Sequence, residues 1–290
     1  MTERIEFGIS INPAWSEQDE IIQLVRLAED AGLDLVGVQD HPYQWRFYDT
    51  WTLISFLGGV TSRIRFFPDV VSLPLRPPAV LAKSAASLDV LTGGRVELGL
   101  GAGAFWDAIG AMGGVVRTRA EAVEAIEEAI DVIRLVWSGE RGVRYEGRHY
   151  RLSGLHTGPV PAHAIGIWVG ASGPRMLRLI GRKADGWVPS ASWARPEDLA
   201  GYLSIIEESA RKAGREPSTI RRVYNVGGSI GTAPGERFHG PSAKWIEEMS
   251  ETHGLGMDTF IFWPEGEDRV KQLERFADEV VPGVRAALGL

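Results

Sequence analysis

The stretch Leu35-Val36-Gly37-Val38-Gln39-Asp40-His41-Pro42-Tyr43-Gln44-Trp45 joins a short apolar run to a polar loop. The apolar part is typical of a buried parallel strand. In folds built from alternating strands and helices, ligands and catalytic groups collect at the carboxyl ends of strands. Asp40 and His41 are therefore either a structural pair at a strand end or part of an active site. In an active site, the imidazole would give or take a proton near neutral pH.

The same strand-then-helix pattern recurs along the whole chain. Eight such units, with no linker between them, predict a single (β/α)8 TIM barrel over residues 1–290 rather than an open sheet. A small hairpin is also predicted, at residues 143–150. The strands are predicted at residues 5–11, 35–38, 64–71, 96–100, 165–169, 186–188, 222–226 and 259–263.

Three segments make the chain longer than a minimal barrel: residues 101–119, 139–164 and 227–240. The first and third follow strands, so we expect them on the face that carries the strand carboxyl ends. The third is rich in glycine and proline, a composition that fits either a mobile lid or a disordered turn.

Composition excludes several classes of protein. The 290 residues include no cysteine, so disulfides and thiolate metal sites are ruled out. The six histidines lack the spacing of a helical zinc motif, and we predict no metal. A net charge of −7 gives no general attraction for nucleic acid or anionic membranes. The sequence has no apolar run long enough for a membrane helix or signal peptide, so we expect a cytoplasmic protein that acts on a small molecule.

Two turns rich in small residues leave the backbone open to a ligand. The run Gly99-Leu100-Gly101-Ala102-Gly103 matches neither a dinucleotide fingerprint nor a P-loop. It fits either a tight barrel turn or the close approach of a flat ligand. The run Gly170-Ala171-Ser172-Gly173-Pro174-Arg175 begins a helix, and it is either capped by Ser172 or an anion site with Arg175 beside it.

Further motifs accompany these turns in a fixed order along most of the chain. They are Asp40-His41 with Trp45, residues 75–83 (LRPPAVLAK) with 86–89 (ASLD), residues 92–103 (TGGRVELGLGAG), Gly173-Pro174-Arg175, Ala184-Asp185-Gly186-Trp187 and Phe276-Ala277. Taken as an ordered set, they resemble the luciferase-like monooxygenase family.

The resemblance implies a TIM barrel that binds FMN or coenzyme F-420, which is an 8-hydroxy-5-deazaflavin. The chain looks most similar to the F-420 branch, in which a histidine and a tryptophan four residues later flank the deazaflavin ring. His41 and Trp45 match that spacing and would be the catalytic residues. The family's non-prolyl cis peptide would lie at Asp69–Val70. The resemblance implies these cofactor-contacting positions: Asp40, Asp69, Val70, Ala102, Gly103, Asp107 and, in the phosphate-binding turn, Ala171, Ser172, Gly173, Pro174 and Arg175.

The chain departs from this family pattern at one position. Similar enzymes that oxidise a sugar phosphate carry a catalytic glutamate directly after the glycine-rich turn, where this chain has Ala104. This departure argues against a substrate like glucose-6-phosphate. A more apolar, aromatic substrate pocket is predicted instead, with these walls: Trp15, Tyr43, Trp106 and Trp193.

The sequence therefore predicts an oxidoreductase that transfers a hydride between coenzyme F-420 and an unidentified organic substrate. The resemblance also implies a homodimer. One alternative is an FMN-dependent monooxygenase, which would use oxygen and reduced flavin from a partner reductase. Another is a non-catalytic flavin-binding protein. An unrelated sugar-phosphate barrel is disfavoured, because the predicted phosphate turn follows strand five rather than strand seven or eight.

Overall fold

The structure is a computed structural model that describes residues 5–233, 235–266 and 268–290. The strands are β1 (Glu6–Ile11), β2 (Leu35–Val38), β3 (Arg65–Pro68), β4 (Val71–Ser72), β5 (Leu98–Gly101), β6 (Val143–Glu146), β7 (Arg151–Leu155), β8 (Ile167–Gly170), β9 (Gly186–Trp187), β10 (Arg221–Ile230), β11 (His239–Gly240) and β12 (Thr259–Pro264).

The α-helices alternate with these strands, and most begin near the strand carboxyl ends. They are α1 (Gln18–Asp30), α2 (Thr50–Gly59), α3 (Pro78–Thr92), α4 (Trp106–Ala111), α5 (Arg119–Trp137), α6 (Pro174–Lys183), α7 (Pro196–Lys212), α8 (Ser242–Gly254), α9 (Arg269–Arg275) and α10 (Val281–Leu288). Within the described ranges, none of these helices is long and apolar enough to cross a membrane.

The large sheet is parallel and closes on itself. Its order is β3-β2-β1-β12-β10-β9-β8-β5. The short strand β4, which follows β3 in the chain, pairs with the other edge of β5. A parallel bridge between Phe66 and Val96 joins the two ends of this order. The predicted (β/α)8 barrel is confirmed, with the helices packed around the closed sheet.

Alternation along each strand separates the inside of the barrel from the outside. In β1, Phe7 and Ile9 face outward and join the large core under the helices. The intervening residues of β1 face the barrel axis. The middle of the interior is apolar, and these six buried side chains fill it: Leu35, Phe67, Trp168, Val188, Val223 and Ile261.

The lower end of the interior, at the amino ends of the strands, is closed by ion pairs. The carboxylate of Glu6 is 4% exposed and contacts both Arg65 and Arg221. Arg65 also reaches Glu97, with 3.1 Å between Nη1 and Oε1. These charges are buried but paired, as buried charges in proteins generally are.

Several predicted boundaries are corrected by the structure. Strand β10 continues to Ile230, and β11 pairs with it, so the predicted loop 227–240 is shorter than expected. Phe238 in this segment is 2% exposed and packs against Trp245, which anchors the second half of the segment. The predicted hairpin is present, but β7 extends it beyond residue 150 to Leu155. The predicted third strand, 64–71, is interrupted after Pro68 by a bulge.

Candidate active site

A cleft of about 570 Å³ opens at the carboxyl ends of β2, β4, β5 and β8. It brings together residues from four of the motifs that the sequence singled out. The lining residues are Asp40, His41, Tyr43, Val70, Val71, Ser72, Gly101, Ala102, Gly103, Ala104, Trp106, Arg119, Ala122, Val123, Gly170, Ala171, Gly173 and Met176.

His41 lies at the edge of this cleft and is held by two aromatic neighbours. Its Nδ1 lies 2.7 Å from the hydroxyl oxygen of Tyr43, and the ring of Phe105 packs edge-on at a centroid distance of 5.6 Å. Burial lowers the pKa of His41 below 6.5, against the opposing effect of Asp40. The imidazole is therefore neutral at pH 7 and keeps Nε2 for a ligand.

Asp40 is locked in place rather than free in the cleft. Its carboxylate is 1% exposed and accepts hydrogen bonds from Nε and Nη2 of Arg76 at 2.9 and 2.7 Å. The backbone N–H of Ser72 donates a third bond at 2.9 Å. Arg76 also reaches Asp49, which caps α2. This pairing fixes the strand end that carries His41, so Asp40 and Arg76 position the site.

The sequence analysis gave no role to Arg76. Its partner Asp40 is 36 residues away in the chain, and only the fold brings the two together. Burial alone would lower the pKa of Arg76, but the carboxylates of Asp40 and Asp49 raise it.

The segment between β3 and β4 forms the back wall of the cleft. The peptide bond Asp69–Val70 is cis, as the resemblance implied. The side chain of Val70 points at two glycines, and a Cβ on Gly101 or Gly170 would lie 2.7 or 3.1 Å from it. Glycine is needed at Gly101 for this close approach of Val70, and both residues line the cleft.

The predicted phosphate turn lies at the far end of the cleft. Ala171 and Gly173 line it, and Trp187 Nε1 donates to the Ala171 carbonyl at 2.7 Å, which fixes the turn. Helix α6 begins here without a side-chain cap, so the amides of its first turn are available to an anion. Arg119 also lines the cleft.

Other predicted site residues lie outside the cleft lining. Trp45 is 73% exposed and stacks against the Arg46 guanidinium at 4.9 Å, facing solvent rather than His41. Its catalytic role stays a prediction. The remaining predicted residues that do not line the cleft are Trp15, Asp69, Asp107, Ser172, Pro174, Arg175 and Trp193.

A second cavity of about 640 Å³ opens at the carboxyl ends of β9, β10 and β12. Asn225 of β10 reaches into it from the barrel interior. Asn225 was not among the predicted site residues, although a lone polar side chain in an apolar strand was a usable signal. The lining residues are Ser190, Ala191, Ser192, Arg195, Pro196, Glu197, Asn225, Gly227, Glu236, Arg237, Phe238, His239, Trp263 and Glu265.

A family model described as luciferase-like monooxygenase matches residues 2–234. The chain belongs to this family. It is 26% identical to the F-420-dependent glucose-6-phosphate dehydrogenase of Nocardia farcinica, over 97% of this chain and 98% of that protein. It is 33% identical to the F-420-dependent hydroxymycolic acid dehydrogenase of Mycobacterium tuberculosis, over 73% of this chain and 59% of that protein.

Solved structures share the luciferase-like fold. An F-420-dependent secondary alcohol dehydrogenase, solved with an F-420–acetone adduct, superposes with a TM-score of 0.87. The match covers 97% of this chain and 99% of that chain at 19% identity, so it bears on the fold alone.

The cleft of this luciferase-like chain suits a flat ring that carries a phosphate. Val70, Gly101 and Gly170 line it with small side chains or none, and its lining also includes Gly173, at the start of α6, and Arg119. No group of three or more metal-ligating side chains occurs in the part of the chain that the structure describes.

Proposed function

We propose that the chain is an F-420-dependent oxidoreductase that acts on an organic alcohol or the corresponding carbonyl compound. The observation that carries this proposal is a single cleft whose lining includes His41, Val70 and, at the start of α6, Gly173. The curated relatives with F-420-dependent activity support it. Bound in this cleft, F-420 supplies hydride acceptance or donation at C5 of its ring.

His41 is the proton-transfer group in this proposal. During oxidation of an alcohol, His41 Nε2 would accept the hydroxyl proton, and the hydride of the C–H bond would go to the bound cofactor. A carbonyl compound and the reduced cofactor are the products. In the reverse direction, Nε2–H donates the proton to the carbonyl oxygen.

Tyr43 sets which of these two roles His41 is ready for. When Nδ1–H donates to the Tyr43 oxygen, Nε2 is an acceptor and serves oxidation. When the Tyr43 hydroxyl donates to Nδ1, Nε2 carries the proton and serves reduction. Burial raises the pKa of Tyr43 to about 12, so its hydroxyl keeps its proton at neutral pH.

The remaining predicted cofactor contacts belong to the same proposal. Ala102, Gly103 and the backbone of Val70 would flank the ring, and the turn 171–175 with Arg119 would hold the phosphate. Asp40 would position the loop through its bonds to Arg76 and Ser72 rather than contact the cofactor directly. Trp45 would reach the ring only if its side chain turned inward from the position described above.

A binding titration tests the cofactor assignment. We expect F-420 to bind with sub-micromolar affinity, measured by its fluorescence, and FMN to bind more weakly. Tight FMN binding without F-420 binding would overturn the proposal. Oxygen uptake with reduced FMN would then establish a monooxygenase.

The variant His41→Gln tests the catalytic role. We expect F-420 affinity to change by less than about threefold and turnover to fall by about 10²–10⁴, the usual contribution of a positioned acid or base. His156→Gln is the matched control, because His156 is exposed on the hairpin segment. Equal turnover in the two variants would exclude His41 as the proton-transfer group.

The oligomeric state is a separate prediction. Light scattering of the purified chain is expected to give the mass of a homodimer.

A further inference from the structure

The upper layer of the barrel interior contains a polar pair that no step above uses. Asp69, at the end of β3, and Asn225, on β10, lie on opposite walls of the barrel. Asn225 Nδ2 donates to Asp69 Oδ1 at 3.0 Å across a separation of 156 residues. Gly37 leaves the room for this contact, since a Cβ there would lie 3.2 Å from Asp69 Oδ2.

The hydrogen-bonding groups of Asp69 and Asn225 have only some of their possible partners. Asn225 is 8% exposed, and its Oδ1 is buried with no hydrogen-bond partner. Asp69 is partly buried and has no cationic partner among residues 5–233, 235–266 and 268–290. Buried polar atoms are usually hydrogen-bonded, so an orphaned acceptor beside an uncompensated carboxyl suggests that a ligand completes the set.

The pair lies where the two cavities meet. Asp69 directly precedes Val70, which lines the cleft proposed for the cofactor. Asn225 lines the second cavity. A molecule in the second cavity therefore reaches the pair and borders the cofactor cleft at the same time.

Each cationic side chain among the described residues that line the second cavity is already paired with an acid. Arg195 pairs with Glu197 and Asp198. Arg237 contacts Glu251 at 3.2 Å, and His239 Nε2 lies 3.1 Å from Glu265.

The cofactor cleft differs in this respect. Arg119 lines it without an ion-pair partner in the described part of the chain. Among the described residues, the acids at the second cavity without an ion-pair partner are Glu236, on its wall, and Asp69, beside Asn225.

We infer that the second cavity binds the substrate, and that Asp69 and Asn225 select neutral or cationic molecules that carry hydroxyl or amino donors over phosphorylated ones. The orphaned Asn225 oxygen and the Asp69 carboxyl accept hydrogen bonds from such a donor. The same carboxyl repels an anion, because no described residue of the cavity wall pairs a cation with it. This inference rests on the proposed function only for the identity of the neighbouring cofactor.

Three probes of one shape test the selectivity. They are trans-1,4-cyclohexanediol, trans-4-aminocyclohexanol and the monophosphate ester of the diol, with binding measured by ligand-observed NMR at pH 8. With F-420 bound, we expect the diol and the amino alcohol to bind at least tenfold more tightly than the monophosphate. A monophosphate that binds as tightly as the diol would overturn the inference.

Two substitutions assign the effect to the pair. Asp69→Asn keeps the side-chain shape, and we expect it to reduce the preference against the monophosphate to within threefold. Asn225→Ala is expected to weaken diol binding by about fivefold or more. Asp30→Asn, on an exposed residue at the end of α1, is the matched control and should change neither value. An unchanged preference in Asp69→Asn would also overturn the inference, and Asp69→Ser repeats the test if Asp69→Asn does not fold.

The cofactor assignment and the substrate selectivity can be tested independently of each other. The probes are measured with and without F-420. If the chain does not bind F-420 but still prefers the diol over the monophosphate, the selectivity is supported and the proposed cofactor is excluded. F-420 binding with no charge preference would keep the cofactor and exclude the selectivity.

Discussion

Both ends of the barrel interior contain polar or charged side chains, but these are paired at the lower end and partly unpaired at the upper end. At the lower end, the Glu6 carboxylate contacts both Arg65 and Arg221. At the upper end, buried polar atoms lack partners, among them Ser10 Oγ, Asn12 Oδ1 and Asn225 Oδ1. A closed network stabilises the fold, whereas an open set of donors and acceptors is available to a ligand.

Packing shows the same difference. In the middle, the interior is filled by large side chains such as Trp168 and Phe67, with ring centroids 5.2 Å apart. Above, it opens into the cleft of about 570 Å³ that Val70 and Gly101 line. The lower and middle levels are thus filled by paired or packed side chains, whereas the upper level leaves room for a ligand.

The largest expected effect is at the lower end. Glu6→Ala leaves Arg65 and Arg221 without their shared carboxylate, and we expect the free energy of unfolding to fall by about 3–5 kcal/mol. Urea denaturation measures this loss. Glu146→Ala breaks an exposed pair with Arg151 and should stay within about 0.5 kcal/mol of the parent. Equal losses in the two variants would show that the lower network does not stabilise the barrel.

At the upper end, removing a charge should stabilise the chain. Burial raises the pKa of Asp69 to about 6 from 3.8, against a smaller opposing effect of the Asn225 hydrogen bond. The folded chain therefore holds this proton more tightly than the unfolded chain. Its contribution to stability is full below pH 3.8 and is lost as the pH rises to about 6.

Asp69→Asn has no titrating group at this position, so it does not lose stability as the pH rises from 3.8 to about 6. We expect the variant to be more stable than the parent by about 1–3 kcal/mol at pH 7 and by much less at pH 4. Asn225 donates to the Asp69 carboxylate and Gly37 lies beside its Oδ2, and neither residue titrates. Urea midpoints at the two pH values measure the difference, and a stability gain that is the same at both would contradict the assignment.

The lower and upper ends also differ in what the sequence alone could predict. Apolar periodicity predicted the eight units and the position of His41, because these depend on local pattern. It did not predict Arg76 or Asn225 as site residues, because their partners Asp40 and Asp69 lie 36 and 156 residues away.

The orientation of Trp45 could not be predicted from local pattern. The resemblance implied that His41 and Trp45 both flank the cofactor ring, and that role of Trp45 stays a prediction. In the structure, the loop makes two successive turns, with backbone bonds from Gln44 N–H to the His41 carbonyl and from Phe47 N–H to the Gln44 carbonyl. These turns leave Trp45 facing solvent, and sequence spacing carries no information on that geometry.

The smallest expected effect tests whether the upper end gains function without a loss of stability. A Cβ at Gly173 meets no atom within 4 Å, and the same holds at Gly201 in the middle of α7. Gly173→Ala replaces a tolerated N-cap residue of α6 by a poor one and should cost less than about 1 kcal/mol. Its methyl group stands beside the amides proposed to hold phosphate, so we expect F-420 affinity to fall by about three- to tenfold. Gly201→Ala should leave that affinity unchanged while slightly raising stability. If both variants bind F-420 equally well, the start of α6 does not hold the cofactor phosphate, and the open geometry there serves only the turn.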